Sequence, residues 1–147
     1  MKMKKLLMVI IIITLSQQLS AQEWTYDFEK AKQIAKKEGK EILLVFAGSD
    51  WCAPCIKLER NILETTEFQN HSEENYVLVK ADFPRKKANK LSREQLEHNE
   101  RLAEIYNREG HFPLVLLITK NGLTIGKTGF KNISPNEYIK LLESFKS

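Results

Sequence analysis

The stretch Trp51-Cys52-Ala53-Pro54-Cys55 constrains this chain more than any other. It holds the only two cysteines in the sequence, two residues apart, with an aromatic residue in front and a proline between them. It also sits at a junction. Upstream, the apolar run Ile42 to Phe46 predicts a buried strand; downstream, Leu58, Ile62 and Leu63 fall at helical spacing. A pair so placed puts the first sulfur near a helix N-terminus, where unpaired N–H groups and the macrodipole favour a thiolate. The second cysteine lies one turn further on, close enough to close a small disulfide ring. Such a pair suits repeated oxidation and reduction. It is a poor structural staple, because a loop this short restrains the unfolded chain little.

The start of the chain reads as targeting rather than fold. Lys2, Lys4 and Lys5 precede an apolar run from Leu6 to Leu15, broken only by Thr14, and Leu19-Ser20-Ala21 is a small-residue exit. About 20 apolar residues are needed to span a bilayer, so the pattern predicts a cleaved secretory signal over residues 1–21, with an uncleaved anchor as the alternative. No cysteine follows the run to carry a lipid. The expected product is one domain over 22–147, exported to a periplasmic or other extracytoplasmic space and soluble after cleavage. Setting aside the three signal lysines leaves 20 basic and 19 acidic residues. The high overall pI therefore reflects the leader and does not point to nucleic acid or membrane partners. The basic residues do not interleave with aromatics either, so no nucleic-acid partner is expected. We expect a monomer.

The remainder alternates helix and strand. Trp24, Phe28, Ala31, Ile34 and Ala35 share one face of a first helix that stops at Gly39. After the strand at 42–46, the motif opens a helix to about Thr65; Glu67 to Asn75 reads as a polar connection, and Tyr76 to Asp82 as a second strand. Phe83 to Gly110 is mostly charged, with Arg85, Lys86, Lys87 and Lys90 in what reads as a solvated loop rather than a docking patch. Ser92 with Gln95 starts a helix to about Arg108. Leu114 to Thr119 is a third strand, joined through Lys120-Asn121-Gly122 to a fourth at 124–128, and Gly129 suggests a bulge or bend. Ser134-Pro135-Asn136-Glu137 then opens a last helix with a buried face of Tyr138, Leu141, Leu142 and Phe145. This order predicts an α/β domain: a mixed sheet of about four strands with helices on both faces.

With the strand Ile42 to Phe46, the Trp51-Cys52-Ala53-Pro54-Cys55 motif, Phe112-Pro113 before the next long strand, the Lys120-Asn121-Gly122 turn and Gly129, the chain resembles the thioredoxin-fold family over nearly all of its mature length. The resemblance implies that Pro113 is cis and faces the cysteines, and that the neighbouring backbone, with Phe112, pairs with an extended substrate. It implies that Cys52 is the exposed nucleophile and that Cys55, more buried, resolves the mixed disulfide. Trp51 would shape the substrate surface, and Ala53 and Pro54 would tune the dithiol against the disulfide. The chain departs from cytoplasmic thioredoxin twice. Val45 and Phe46 stand where the strand before the motif would carry a buried aspartate, and the region between Asp82 and Pro113 is longer. The second departure resembles exported bacterial relatives, in which such an insertion adds a surface helix before the cis-proline strand. Asp50 and Glu59 are similar to acidic residues in the periplasmic C-terminal domain of transmembrane reductant-transfer proteins, which makes them candidates for proton transfer, although Glu59 equally reads as an ordinary exposed helix residue.

No cofactor or metal is expected. Two cysteines with scattered His71, His98 and His111 do not complete a zinc set, and His111 reads as a residue bordering the substrate groove. Two functions follow. One is an exported thiol–disulfide oxidoreductase acting on protein or peptide disulfides, more in keeping with a reductase recharged by a membrane electron donor. The other is a peptide-binding or chaperone-like module on the same fold with a static disulfide; the intact cysteine pair and Pro113 argue for the first.

Overall fold

The computed structural model describes residues 22–147, so the leader lies outside the described residues. A four-stranded sheet runs in the order β2-β1-β3-β4, built from β1 (Glu41–Ala47), β2 (Tyr76–Asp82), β3 (Leu114–Ile118) and β4 (Thr124–Thr128). β1 pairs parallel with β2 and antiparallel with β3, and β3 pairs antiparallel with β4. A central strand is covered on both faces, which is why β1 reads as a continuous apolar run. Its side chains alternate between two cores. Leu43, Val45 and Ala47 pack with Cys52, Cys55, Leu58, Phe68 and Tyr138, whereas Ile42, Leu44 and Phe46 pack with Phe28, Ala31 and Leu102.

The first face is covered by α2 (Ala53–Leu58), the π-helical turn Glu59–Leu63 that continues it, α3 (Thr66–Asn75) and α5 (Pro135–Ser144). The second is covered by α1 (Phe28–Glu38) and α4 (Arg93–Tyr106), the latter supplied by the insertion. Helices thus lie on both faces of a mixed sheet, as expected. The caps are those the sequence signals. Gly39 ends α1 with φ 69° and donates its N–H to Ala35, Ser92 accepts from the Gln95 amide, and Ser134 and Glu137 form a reciprocal capping box.

Four expectations need correction. Trp24 is not in the first helix: Asp27 caps α1, and the chain before it runs along β2, with Thr25 bonded to Leu78 and Lys80. The segment after Thr65 is not a connection but α3, which buries only Phe68 and Ser72 and so carries too few apolar residues to announce itself. α4 ends at Tyr106, with Asn107 as its C-cap, rather than at Arg108. The irregularity in the β3–β4 hairpin falls opposite Leu117 and Ile118, where the register passes from Gly126 to Thr124, and not at Gly129.

Candidate active site

The parallel pairing of β1 and β2 sets Ala47 beside Asp82, so both strands deliver their outgoing loops to one edge of the sheet. From β1 the chain turns tightly, with the Trp51 and Cys52 amides donating to the Gly48 carbonyl at 3.2 and 2.9 Å. The Asp82 carboxylate clamps this turn by accepting from the Ser49 amide and hydroxyl. Gly48 is required here: a Cβ would lie 2.3 Å from Trp51 Cε2.

Cys52 is the N-cap of α2 and is disulfide-bonded to Cys55. Its sulfur accepts from the Cys55 amide at 3.3 Å, one of the helix's unpaired donors, and Cys55 Sγ accepts from the Gly48 amide at 3.5 Å. N–H groups directed at both sulfurs stabilise thiolate character after reduction. Ala53 and Pro54 occupy the first turn, where proline's missing N–H costs nothing, and both are exposed. The difference in exposure expected between the cysteines is absent in this disulfide: each is 5% exposed. The helix end that Cys52 caps also holds it against the core.

Across from the motif, the Phe112–Pro113 peptide bond is cis, and Pro113 is buried. The Phe112 ring meets Trp51 edge-on at 5.6 Å, and Phe83 meets Phe112 at the same distance. The indole N–H of Trp51 donates to the Phe83 carbonyl at 2.8 Å. These contacts bring the cis-proline loop and the end of β2 together around the motif. Asn107, buried at the end of α4, fixes the loop before Pro113 by donating to the His111 carbonyl and accepting from its amide, each at 2.9 Å. His111 itself points outward, near Glu109.

The acidic candidates part company. Glu59 lies 2.8 Å from Lys80 Nζ through both carboxylate oxygens, and this partly buried pair lines a cleft of about 350 Å³ together with Ala47, Ser49 and Cys55. Lys80 also sits 4.5 Å from the centre of the Trp24 ring. Asp50 instead accepts from the Arg85 and Lys86 amides and from the Asn89 side chain. The Arg85 amide foremost, with the Asn89 and Lys86 donors, holds the Asp50 carboxyl below its usual range against an opposing push from burial. Asp50 therefore anchors the loop after β2, and the loop read as merely solvated is tied to the site. Among the described residues, no cluster of side chains could hold a metal ion.

Sequence reasoning did not single out Gly48, Asp82, Phe83 or Asn107 as site residues, nor Arg85 beside Trp51. The parallel β1–β2 pair was the available signal for Asp82 and Phe83, because it sends the end of β2 to the same edge as the motif.

A helix-capping disulfide, flanked by a cis-proline loop on a β2-β1-β3-β4 sheet, defines a thiol–disulfide oxidoreductase of thioredoxin fold. Comparison with known proteins agrees. The chain belongs to the thioredoxin-like family, whose model matches residues 23–120. It is 32% identical over 117 residues to the disulfide bond reductase DsbH of Chlamydia pneumoniae, covering 80% of this chain and 69% of that protein. A solved DsbH oxidoreductase structure superposes with a TM-score of 0.77 at 29% identity, covering 90% of this chain and 92% of that one. The oxidised C-terminal domain of DsbD from Neisseria meningitidis shares the fold, with a TM-score of 0.54 at 21% identity over 80% of this chain and 90% of that one.

Proposed function

We propose that this protein is an exported reductase of protein disulfides. The observation that carries the reading is the Cys52–Cys55 disulfide at the start of α2, with sulfur-directed amides on both cysteines and the Trp51–Phe112 surface beside it. The likeness to a protein named a disulfide bond reductase supports the direction. In the reduced state the Cys52 thiolate attacks a substrate disulfide; one substrate thiol leaves and a mixed disulfide forms. Cys55, deprotonated, then displaces the second substrate thiol and closes the Cys52–Cys55 bond. Two electrons pass from the dithiol to the substrate; the Cys55 proton and the proton that Cys52 gave up to water on ionising end on the two substrate thiols. Glu59, held by Lys80 in the cleft that Cys55 also lines, takes the Cys55 proton in this reading. Asp50 serves as the anchor of the Arg85 loop in this scheme, rather than as a proton carrier.

A reductase outside the cytoplasm must be recharged, and a membrane protein that presents a dithiol is the donor this reading requires. Residues 1–21 are the export signal, and the mature domain acts as a monomer; among the described residues no helix is long and apolar enough to cross a membrane. The test is a trapping experiment. Cys55→Ser should accumulate covalent mixed disulfides through Cys52 that dithiothreitol releases, and Cys52→Ser should accumulate none. Equal trapping by both variants, or by neither, would overturn the assigned roles.

A further inference from the structure

The loop after β2 presents Arg85, Lys86, Lys87 and Lys90 without an acidic residue among them. It does not drift in solvent. Asp50 accepts from the Arg85 and Lys86 amides at 2.9 Å each and from Asn89 at 3.0 Å, and the Phe83 carbonyl accepts the Trp51 indole N–H. These bonds set the Arg85 guanidinium 3.7 Å from the centre of the Trp51 ring, next in sequence to Cys52.

Stacking uses the flat face of a guanidinium and leaves its in-plane N–H donors available, in a fork that matches a carboxylate. Two other arginines of the insertion are engaged: Arg93 pairs with Glu97, and Arg108 donates to the Glu104 carbonyl. Among the described residues, Arg85, Lys86, Lys87 and Lys90 form no ion pair. The stack also pre-orients a side chain that would otherwise lose rotamer freedom on binding. The groove lined by Phe83, Glu100, Glu104 and Arg108 carries more acid than base, so it does not share the basic character of the Arg85 loop.

We propose that Arg85 is a specificity-determining residue of this site, selecting disulfides that carry a carboxylate side chain beside the attacked cysteine, with Lys86, Lys87 and Lys90 steering acidic segments toward Cys52. The inference rests on the reductase reading above. Arg85 takes no part in the bond changes, which remain the two exchanges at Cys52 and Cys55; it raises the rate at which the correct disulfide is presented.

The test uses the reduced mature protein in single turnovers with three peptide disulfides that differ only beside the cysteine: glutamate, lysine or serine. The glutamate peptide should react about fivefold faster than the lysine peptide at low ionic strength, the effect of one exposed charge contact, and the ratio should fall toward one at high salt. Arg85→Glu should invert the order, and Arg85→Lys should retain part of the preference through charge alone. A ratio unchanged in Arg85→Glu, or a wild-type ratio indifferent to salt, overturns the proposal while leaving the reductase reading intact. Failure of the wild-type protein to reduce even the serine peptide overturns the reductase reading itself.

Discussion

Replacing Glu59 by glutamine keeps the shape of the side chain and removes its charge. Lys80 would then lose the ion pair and one of its two acceptors at 2.8 Å, keep the amide oxygen as the other, and remain over Trp24. The two side chains are 27% and 16% exposed, between a surface pair and a buried one. Exposed pairs contribute about 0.2–1 kcal/mol, and breaking a fully buried pair costs about 3–5 kcal/mol, so the stability loss should be about 1–2 kcal/mol. The kinetic effect should be larger. A positioned base contributes about 10²–10⁴-fold; the open cleft lets water substitute in part, which places the loss at the low end, about a hundredfold. The assay mixes reduced protein with excess peptide disulfide, quenches with acid, and follows the mixed disulfide as it forms and decays. Glu59→Gln should form it at the normal rate and resolve it slowly, with the resolution rate recovering as pH rises and Cys55 ionises unaided. Normal resolution with an unchanged pH profile would refute the proton route.

Three further perturbations test the scaffold. Asn107→Ala strips the partners from the His111 peptide group and should cost about 1–3 kcal/mol in urea unfolding, with slower substrate exchange as the cis-proline loop loosens. Gly48→Ala should displace the Trp51 indole, break its bond to Phe83 and cost about 1–3 kcal/mol, visible as an altered near-ultraviolet aromatic spectrum. Burial works against the charge of Glu143, but hydrogen bonds from Tyr76, Lys146 and His71 outweigh it and hold the carboxyl below its ordinary value of 4.5. The stability this contributes is present above that value and is lost as pH falls through the lower folded one. Acid should therefore loosen the end of α5, where Lys146 also reaches Glu41, and Glu143→Gln should flatten this part of the acid dependence.

Local signals in the sequence were legible and long-range ones were not. Tyr76 to Asp82 reads as a strand from its own side chains and is one, and Ser134 with Glu137 caps the last helix within four residues. α3 escaped because its stability comes from tertiary packing of Phe68 and Ser72 rather than from an apolar stripe. Trp24 suggested a helical face, yet backbone bonds from Thr25 to β2 decide its conformation. The cysteine pair was visible because its chemistry lies within four residues. The partners of Glu59 and Asp50 are 21 and 35 or more residues away, so a carboxylate's role as ion-pair member or loop anchor appears only once β1 and β2 are side by side.

The most direct test of the central claim is the equilibrium reduction potential of the Cys52–Cys55 pair in the domain over residues 22–147, measured in glutathione or dithiothreitol buffers. A reductase charged by a membrane donor predicts a value near about −270 mV. A value near about −120 mV would mark a disulfide donor, and either that value or a pair that never equilibrates would contradict the account.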